Sequence, residues 1–215
     1  MRLMALVIII LFSSFIGYLI GSVNTSIIVG KLLFRVDVRE HGSGNAGATN
    51  ALRTLGKGAA IAVVIGDFLK GILACLIGRW VFGELNPGDG VFIGEYMAGF
   101  FAVVGHNWPI YFGFKGGKGV MTSFAVAMMF SPLSALICLA VFIIIVAITR
   151  FVSLGSMVSA AIFPVLAIVF NEPLYMVLTG VALVALIIWR HKANIERLVS
   201  GNETKLSLKK HKEKE

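Results

Sequence analysis

The chain is poor in charged residues, and above all in acidic ones. Only 14% of its 215 residues are charged and 58% are hydrophobic, whereas soluble domains carry about 25% charged residues. Acidic residues number 11 against 19 basic ones, and the mean hydropathy is +0.91. This composition excludes an ordinary soluble domain and predicts an integral membrane protein with little mass outside the bilayer.

Cysteine is also scarce. Cys75 and Cys138 each lie inside an apolar run, so they predict small buried side chains rather than a disulfide framework or a metal site. The first apolar run lacks a small-residue cleavage site and exceeds the roughly 7–15 residues of a signal-peptide core. We therefore interpret residues 2–20 as a retained transmembrane helix. The sequence has no internal repeat and no low-complexity linker.

Seven apolar runs follow one another along the chain: 3–30, 58–82, 92–105, 119–130, 133–149, 153–170 and 173–189. A full span needs about 20 residues, with a usual range of about 17–25, so the third and fourth runs are short. Ser131-Pro132 separates the fourth run from the fifth, because the residue before proline avoids helical geometry and proline suits a helix start.

Basic residues lie on one side of a seven-crossing arrangement. Segments 31–57 and 106–118, residue Arg150 and the chain from 190 onward carry five, two, one and eight of the 19 Lys and Arg residues. The positive-inside rule puts that side in the cytoplasm and the amino terminus outside. A single crossing over 119–149 would place the basic tail outside, so we reject it. An alternative with re-entrant runs at 92–105 and 119–130 moves the loop between them to the opposite face.

The expected fold is therefore an all-α bundle of seven transmembrane helices. We predict one transmembrane domain over residues 1–200 and a basic, disordered cytoplasmic tail over 201–215. The tail has a second interpretation, as a segment that binds anionic lipid headgroups.

Polar residues concentrate first in "HGSGNAGATNALRTLGKG", residues 41–58. Closely spaced glycines allow main-chain amides to approach a ligand, short side chains add hydrogen-bond donors, and an arginine fork suits phosphate. The alternative is an inter-helix turn with a helix cap, but the density of donors favours an anion site. The residues concerned are Gly42, Ser43, Gly44, Asn45, Gly47, Thr49, Asn50 and Arg53.

A second cluster occupies "GHNWPIYFGFKGGKGV", residues 105–120. Gly113, Gly116, Gly117 and Gly119 bracket Lys115 and Lys118, which resembles a phosphate-binding loop in its physics. A Walker A motif requires glycine at 112 and Ser or Thr at 119, where this chain has Phe and Gly. The loop therefore predicts anion binding at the membrane surface and argues against nucleotide hydrolysis. His106 is open to three roles: general base, phosphate donor or structural donor.

A third cluster is "RHKANIERLVSGNE", residues 190–203. His191, Asn194 and Arg197 are three residues apart and share one helix face, with Glu203 available to close the site. The alternative is a juxtamembrane helix with snorkelling basic residues.

Two smaller groups of polar residues accompany these clusters. Ser153 and Ser156 follow Arg150 and are candidate phosphate donors. Asp67 and Lys70 lie within the second apolar run, where charges are costly and usually face the bundle interior. At this spacing they predict an internal salt bridge that supports the fold.

Taken in order, six pieces of this sequence resemble the PlsY family of bacterial membrane acyl-phosphate:glycerol-3-phosphate acyltransferases. They are "YLIGS", "GSGNAGATNALRTLGKG", "GDFLKG", "GHNWPIYFGFKGGKGV", "TRFVSLGSM" and "NIERLVSGNE". The resemblance covers nearly the whole chain except the extreme tail. One departure is Val23-Asn24, where the family usually has Ile-Pro.

The resemblance implies a seven-helix enzyme with its active site on the cytoplasmic face of the bacterial inner membrane. It implies transfer of a fatty acyl group from acyl phosphate to the sn-1 hydroxyl of glycerol 3-phosphate, which opens phospholipid synthesis. Acyl-CoA is not the expected donor, and neither a metal nor a cofactor is expected. The implied partners are the two substrates and membrane lipids, without nucleic acid, and we expect a monomer.

The expected site draws on all of these clusters. The catalytic set is Ser43, Asn45, Arg53, Lys118, His191 and Asn194. Substrate phosphate is assigned to Ser43, Gly44, Arg53, Lys115, Gly116, Gly117, Lys118, Ser153, Ser156 and Arg197. Structural or base roles are assigned to His106, Thr49, Asn50, Asp67, Lys70 and Glu203, with Asn50 also considered for orienting a substrate.

Neither a Ser-His-Asp arrangement nor a His-x4-Asp box is present, since Tyr111 stands where the latter needs Asp. We therefore expect direct attack by the substrate hydroxyl. A substrate phosphate takes the proton, and His191 and His106 are the reserve bases. The competing functions are a small anion channel or transporter, which needs a polar path across the bilayer, and a membrane protein that binds lipid phosphate without turnover.

Overall fold

The computed structural model describes residues 2–85 and 91–206, which contain ten α-helices, two short 3-10 helices and no strand. The α-helices are α1 (Arg2–Ser22), α2 (Thr25–Phe34), α3 (Ala48–Thr54), α4 (Lys57–Leu85), α5 (Val91–Asn107), α6 (Val120–Phe130), α7 (Pro132–Thr149), α8 (Val152–Val169), α9 (Leu174–Arg190) and α10 (Lys192–Val199). The 3-10 helices are Val38–Glu40 and Ile110–Phe112. The all-helical prediction is confirmed.

Each predicted apolar run contains a helix, and the break at Ser131-Pro132 is confirmed. Helix α6 ends at Phe130, and Pro132 opens α7 at its first turn. The helix expected over residues 2–20 is α1, and the remainder of the apolar run 3–30 belongs to a second helix, α2, after a break at residues 23–24. There the buried Asn24 caps α2, its side-chain oxygen accepting from the Ile27 amide at 3.1 Å. The cap starts a new helix after α1.

Within the described residues, four segments are long and apolar enough to cross a membrane: Leu6–Phe34, Lys57–Val81, Pro132–Thr149 and Val152–Val169. Helices α9 and α10 supply a fifth if this pair, bent by 60°, counts as one span, and α6 is a shorter apolar helix. The chain is therefore a multi-helix membrane protein.

Helices α1 and α5 are parallel and pack closely through small residues. Gly17 lies against Ala98, and Gly21 lies against Ala102. A methyl group at either glycine would overlap the backbone of α5. Small residues at such positions let membrane helices approach at backbone distance.

Helix α4 runs antiparallel to α5 and parallel to α6. Gly78 of α4 faces Gly94 near the start of α5, whereas Gly71 faces Ala125 of α6. Away from the loop clusters, α4 and α5 are also joined by an ion pair between Arg79 and the buried Glu95, at 2.6 Å.

Helices α6, α7, α8 and α9 follow one another through short connections and pack in sequence, so they alternate in direction. The carboxyl ends of α1, α5, α7 and α9 therefore lie at the same end of the bundle as the starts of α4, α6 and α8. Arg39, which lies two residues before the first polar cluster, donates from Nη1 to the Phe112 carbonyl of the second cluster at 2.7 Å, so the two clusters lie on the same face. The re-entrant alternative, which separates these two clusters onto opposite faces, is therefore wrong. So is the single helix over 119–149.

Candidate functional site

Four polar segments meet at this end of the bundle: residues 37–53, 106–119, 150–153 and 190–206. The last of them crosses over the others. Arg53 Nη2 donates to the Thr204 carbonyl at 3.3 Å, and the Leu206 amide donates to the Arg150 carbonyl at 2.7 Å. The predicted gathering of distant clusters is thus present in the structure.

Residues 201–206 belong to this assembly. The boundary that we predicted at residue 200 separates Glu203 from the groups that it bonds, so the expectation of a free tail is wrong for 201–206. The remainder of the predicted tail, 207–215, lies outside the described residues.

The first segment is held in shape by the buried Asn50. Its Nδ2 donates to the Val38 carbonyl at 2.7 Å and to the His41 carbonyl at 3.0 Å, and its Oδ1 accepts from the Ser43 amide at 2.9 Å. Asn50 is therefore engaged by the loop itself, which favours its structural assignment over a substrate contact.

The other predicted residues of this segment lie at its surface. Gly42 and Gly44 adopt the left-handed backbone conformation, with φ of 60° and 70°. The backbone turn leaves Ser43, Gly44 and Arg53 exposed, and Asn45 and Thr49 half-buried. Their assigned roles stay predictions.

In the second segment, the glycine amides are turned inward. The Gly116 amide donates to the Asn107 carbonyl at 3.3 Å, and the Gly117 amide donates to the His106 carbonyl at 3.1 Å. Both amides thus donate within the protein, and the assignment of these glycines to substrate phosphate stays a prediction. The glycines serve close packing instead, since a methyl group at Gly117 would overlap the His106 imidazole and lie 2.6 Å from the Ala46 carbonyl.

Arg190 holds the same loop from the other side. Its Nε and Nη2 donate to the Gly117 carbonyl at 3.0 and 2.8 Å, and its guanidinium lies 5.3 Å from the centre of the Trp108 ring. Arg190 was not among the predicted site residues, because an arginine at a helix end resembles any positive-inside charge. As the last residue of an apolar helix, it carries no sequence signal that distinguishes a residue holding a loop from a residue that only adds positive charge.

Below the loop lies a buried ionic cluster of Asp67, Lys70 and His106. The predicted salt bridge is confirmed, with Lys70 Nζ 2.8 Å from Asp67 Oδ1. Lys70 Nζ also donates to His106 Nδ1 at 2.8 Å and to the Val23 carbonyl at 3.0 Å. The ammonium group therefore makes two hydrogen bonds in addition to its ion pair with Asp67.

This arrangement favours a structural role for His106. The side chain is only 3% exposed. Its Nδ1 accepts from Lys70, and its Nε2 is directed at Gly117. Both ring nitrogens are therefore turned toward the protein interior, where a water-soluble substrate does not reach.

Lys118, Asn194 and Glu203 form the polar centre of the site. Lys118 Nζ donates to Asn194 Oδ1, and Asn194 Nδ2 donates to Glu203 Oε1 at 2.7 Å. Ser153 Oγ donates to Glu203 Oε1 and Arg197 Nε donates to Glu203 Oε2, each at 2.8 Å. Glu203 thus joins α8, α10 and the chain that follows α10.

Charge and burial set the protonation of this centre. The pKa of Lys118 is lowered to about 8, mainly by burial, with the positive charges of Arg197, Arg190 and Arg53 acting in the same direction and the negative charge of Glu203 opposing them. Burial alone would raise the pKa of Glu203, but the hydrogen bonds from Asn194, Ser153 and Arg197 outweigh it and lower that pKa. A carboxylate and an excess of cations therefore face one another at neutral pH.

His191 is buried between α9 and α10 and is electrically neutral. Burial lowers its pKa to about 4, with a further contribution from the positive charge of Lys118. Its Nδ1 donates to the Ile187 carbonyl at 2.7 Å, so the lone pair of the neutral ring is on Nε2. Nε2 is therefore free to accept a proton or a hydrogen bond from a substrate hydroxyl.

Two predicted phosphate residues lie away from this centre. The Lys115 side chain is exposed, and its carbonyl accepts from Arg39 at 3.3 Å. Ser156 is buried, with its Oγ donating to the Val152 carbonyl at 2.8 Å. Ser156 lines an apolar cavity and does not face the polar centre.

That cavity, of about 120 Å³, lies among α6, α7, α8 and α9. It begins beside the polar centre, since the lining residues Val120 and Ile187 lie close in sequence to Lys118 and His191. Ser123 also lines it and was not anticipated, because a serine in an apolar helix has no distinguishing pattern. Its Oγ is buried and has no hydrogen-bond partner among residues 2–85 and 91–206.

Comparison with known proteins gives consistent matches. A family model described as glycerol-3-phosphate acyltransferase matches residues 10–201. A glycerol-3-phosphate acyltransferase of Clostridioides difficile is 45% identical over 195 residues, covering 91% of this chain and 94% of the relative. One of Halalkalibacterium halodurans is 46% identical over 199 residues, covering 90% and 94%.

Solved structures agree. The chain is similar to crystal structures of PlsY, an integral membrane glycerol 3-phosphate acyltransferase. The glycerol 3-phosphate form superposes with a TM-score of 0.83 at 38% identity, covering 92% of this chain and 96% of that one. The lysophosphatidic acid form gives 0.81 at 38% identity, covering 93% and 96%.

Proposed function

The chain belongs to the glycerol-3-phosphate acyltransferase family, and we propose that it transfers a fatty acyl group from acyl phosphate to the sn-1 hydroxyl of glycerol 3-phosphate. The products are lysophosphatidic acid and inorganic phosphate, in the first step of phospholipid synthesis. One observation carries the proposal: a cationic, polar centre lies at the mouth of an apolar cavity within a membrane protein.

The polar centre suits two phosphorylated substrates. Arg53, Lys118 and Arg197 supply cationic donors, and arginine in particular matches phosphate geometry. Lys118 is protonated at neutral pH because its pKa is about 8. Ser43 lies exposed on the facing loop, within the segment that Arg53 ties to residues 201–206.

The cavity suits the fatty chain of the donor. Apolar side chains make up most of its lining, so it favours a hydrocarbon tail over water. A tail held there would place its acyl phosphate head toward Lys118 and His191. The glycerol 3-phosphate would approach from the aqueous side, where Ser43 and Arg53 lie.

The reaction we propose is direct. The sn-1 hydroxyl oxygen forms a bond to the acyl carbonyl carbon, the bond from that carbon to the phosphate oxygen breaks, and the hydroxyl proton leaves with the departing phosphate. No covalent acyl-enzyme is needed, since acyl phosphate is already an activated anhydride. Orienting two substrates contributes up to about 7–11 kcal/mol, and each donor aimed at the developing oxyanion about 2.7–4 kcal/mol.

His191 and Asn194 would orient the attacking hydroxyl. Neutral His191 presents an accepting Nε2, and Asn194 is fixed between Lys118 and Glu203. Glu203 accepts a hydrogen bond from Asn194, and Ser153 donates to the same Glu203 oxygen, so both residues hold Asn194 in place.

We also propose a seven-crossing topology in the bacterial inner membrane, with α1/α2 forming the first crossing and α4 to α9 the other six. The amino terminus lies outside and the four polar segments face the cytoplasm, because they carry most of the basic residues. We propose that the enzyme acts as a monomer.

A donor comparison tests the proposal. Purified protein in lipid receives glycerol 3-phosphate with palmitoyl phosphate or with palmitoyl-CoA, and lysophosphatidic acid is quantified by mass spectrometry. We expect product from the first pair alone. Absence of product from palmitoyl phosphate would refute the enzyme function and favour a phosphate-binding or transport protein.

A further inference from the structure

The apolar cavity has a defined depth along three of its helices. Each contributes lining residues seven positions apart, which is two helical turns or about 10 Å. The pairs, given with the member nearer the polar centre first, are Val120 and Ala127 of α6, Ser156 and Phe163 of α8, and Ile187 and Gly180 of α9. Because α6 and α8 start and α9 ends at the polar end, the second members all lie deep.

Phe163 forms the deep end. Its side chain is only 6% exposed, and its ring lies across Gly180, where an added methyl group would be 3.0 Å from Cδ1. The ring belongs to a buried cluster with Tyr96, Cys138, Ala167 and Met176, of which Cys138 also lines the cavity. The ring is therefore backed by packed side chains and cannot retreat as a free lipid-facing residue would.

The distance from the polar centre to the Phe163 ring, the floor of the cavity, matches the length of an acyl chain in one leaflet. Ser153, which bonds Glu203 at the polar centre, lies ten residues before Phe163 on α8, or about 15 Å along the helix axis. That distance is half of the hydrocarbon thickness of about 30 Å. A fatty tail that starts at the polar centre thus meets the Phe163 ring where the tails of one leaflet end.

We propose that Phe163, seated on Gly180, is the floor that sets the longest acyl chain this enzyme accepts efficiently. The inference rests on the proposed function, because it assigns the cavity to the acyl chain of the donor. It adds a specificity-determining residue that makes no contact with the reacting atoms.

Two opposite substitutions test it. Phe163→Ala lowers the floor, and Ala127→Leu fills space beside it. The measurement is the ratio of kcat/KM for stearoyl phosphate to that for myristoyl phosphate, with glycerol 3-phosphate saturating. This ratio does not depend on how much of a preparation is folded. A single methylene in an apolar pocket is worth about 10–200-fold, so we expect about a tenfold rise for Phe163→Ala and a fall of similar size for Ala127→Leu.

Val165→Ala is the matched control, since Val165 lies on the same helix but is 57% exposed toward lipid, and its ratio should equal the wild-type ratio. If Phe163→Ala does not fold, Phe163→Leu and Ala127→Leu carry the test. If the wild type is active and the folded Phe163 and Ala127 variants have the wild-type ratio, the proposal that Phe163 sets the chain length is overturned. Inactivity of the wild type with every acyl phosphate would instead overturn the proposed function.

Discussion

The buried cluster of Asp67, Lys70 and His106 gives the sharpest prediction about stability. Lys70→Met removes the ammonium that bonds three groups and leaves the Asp67 carboxylate without its partner at 2.8 Å. Asp67 is 2% and Lys70 6% exposed, so water does not compensate. Breaking such a buried pair costs about 3–5 kcal/mol, because an unpaired charge remains inside.

That cost converts to a measurable shift in melting temperature. For chains of 150–250 residues, 1 kcal/mol corresponds to about 2–4 °C, so Lys70→Met should melt about 6–20 °C lower. The double variant Asp67→Asn with Lys70→Met carries no unpaired charge. It should recover much of this loss and retain a deficit of about 1–3 kcal/mol, since the Val23 carbonyl loses its donor.

The assay is thermal unfolding in one detergent, followed by intrinsic fluorescence. Lys57→Met is the control, because it removes the same group from an exposed position at the start of α4. The reasoning would be refuted if Lys70→Met and Lys57→Met had the same melting temperature. It would also be refuted if the double variant lost as much stability as its two single variants combined.

Three further predictions concern activity. The kcat/KM of the wild type should fall above about pH 8, where Lys118 loses its proton, and Lys118→Arg should lack this fall because arginine stays charged; an identical fall in both would contradict the assignment. Any inflection near pH 6.5, where the substrate phosphate ionises, should be the same in the wild type and in His191→Gln, because the pKa of His191 is about 4; an inflection there that disappears in His191→Gln would show that the histidine titrates normally. Gly117→Ala should lose at least about tenfold in kcat/KM, because the added methyl group overlaps His106 and the Ala46 carbonyl and displaces the loop. Gly58→Ala has open space around it and should retain wild-type kinetics. Equal activity of the two variants would mean that the loop tolerates rearrangement.

The sequence predicted the fold class and the gathering of the polar clusters because both depend on strong patterns. Apolar runs of helical length specify helices in a membrane. The basic residues are concentrated in alternate connections between these runs, which indicates that those connections lie on the same face. The spacing of Asp67 and Lys70 likewise predicted their ion pair, since i and i+3 share a helix face.

Details that depend on three-dimensional packing were not predictable. Gly116 and Gly117 look like phosphate-binding glycines in sequence, yet their amides are taken up by carbonyls at the end of α5. Arg190 holds that loop through a contact across 73 positions, which no local pattern encodes. The departure at Val23-Asn24 was visible in the sequence, but the start of a second helix capped by Asn24 was not, because the residues on both sides are apolar enough to continue one span.

The central claim is that the polar centre positions two substrates for direct transfer. The most direct test mixes the purified protein with radiolabelled palmitoyl phosphate in the absence and then in the presence of glycerol 3-phosphate, following phosphate release and the intact mass of the protein. We predict no phosphate burst and no added acyl mass without the acceptor, and equal amounts of phosphate and lysophosphatidic acid once it is added. A burst of phosphate, or a protein heavier by one palmitoyl group before the acceptor is present, would contradict direct transfer.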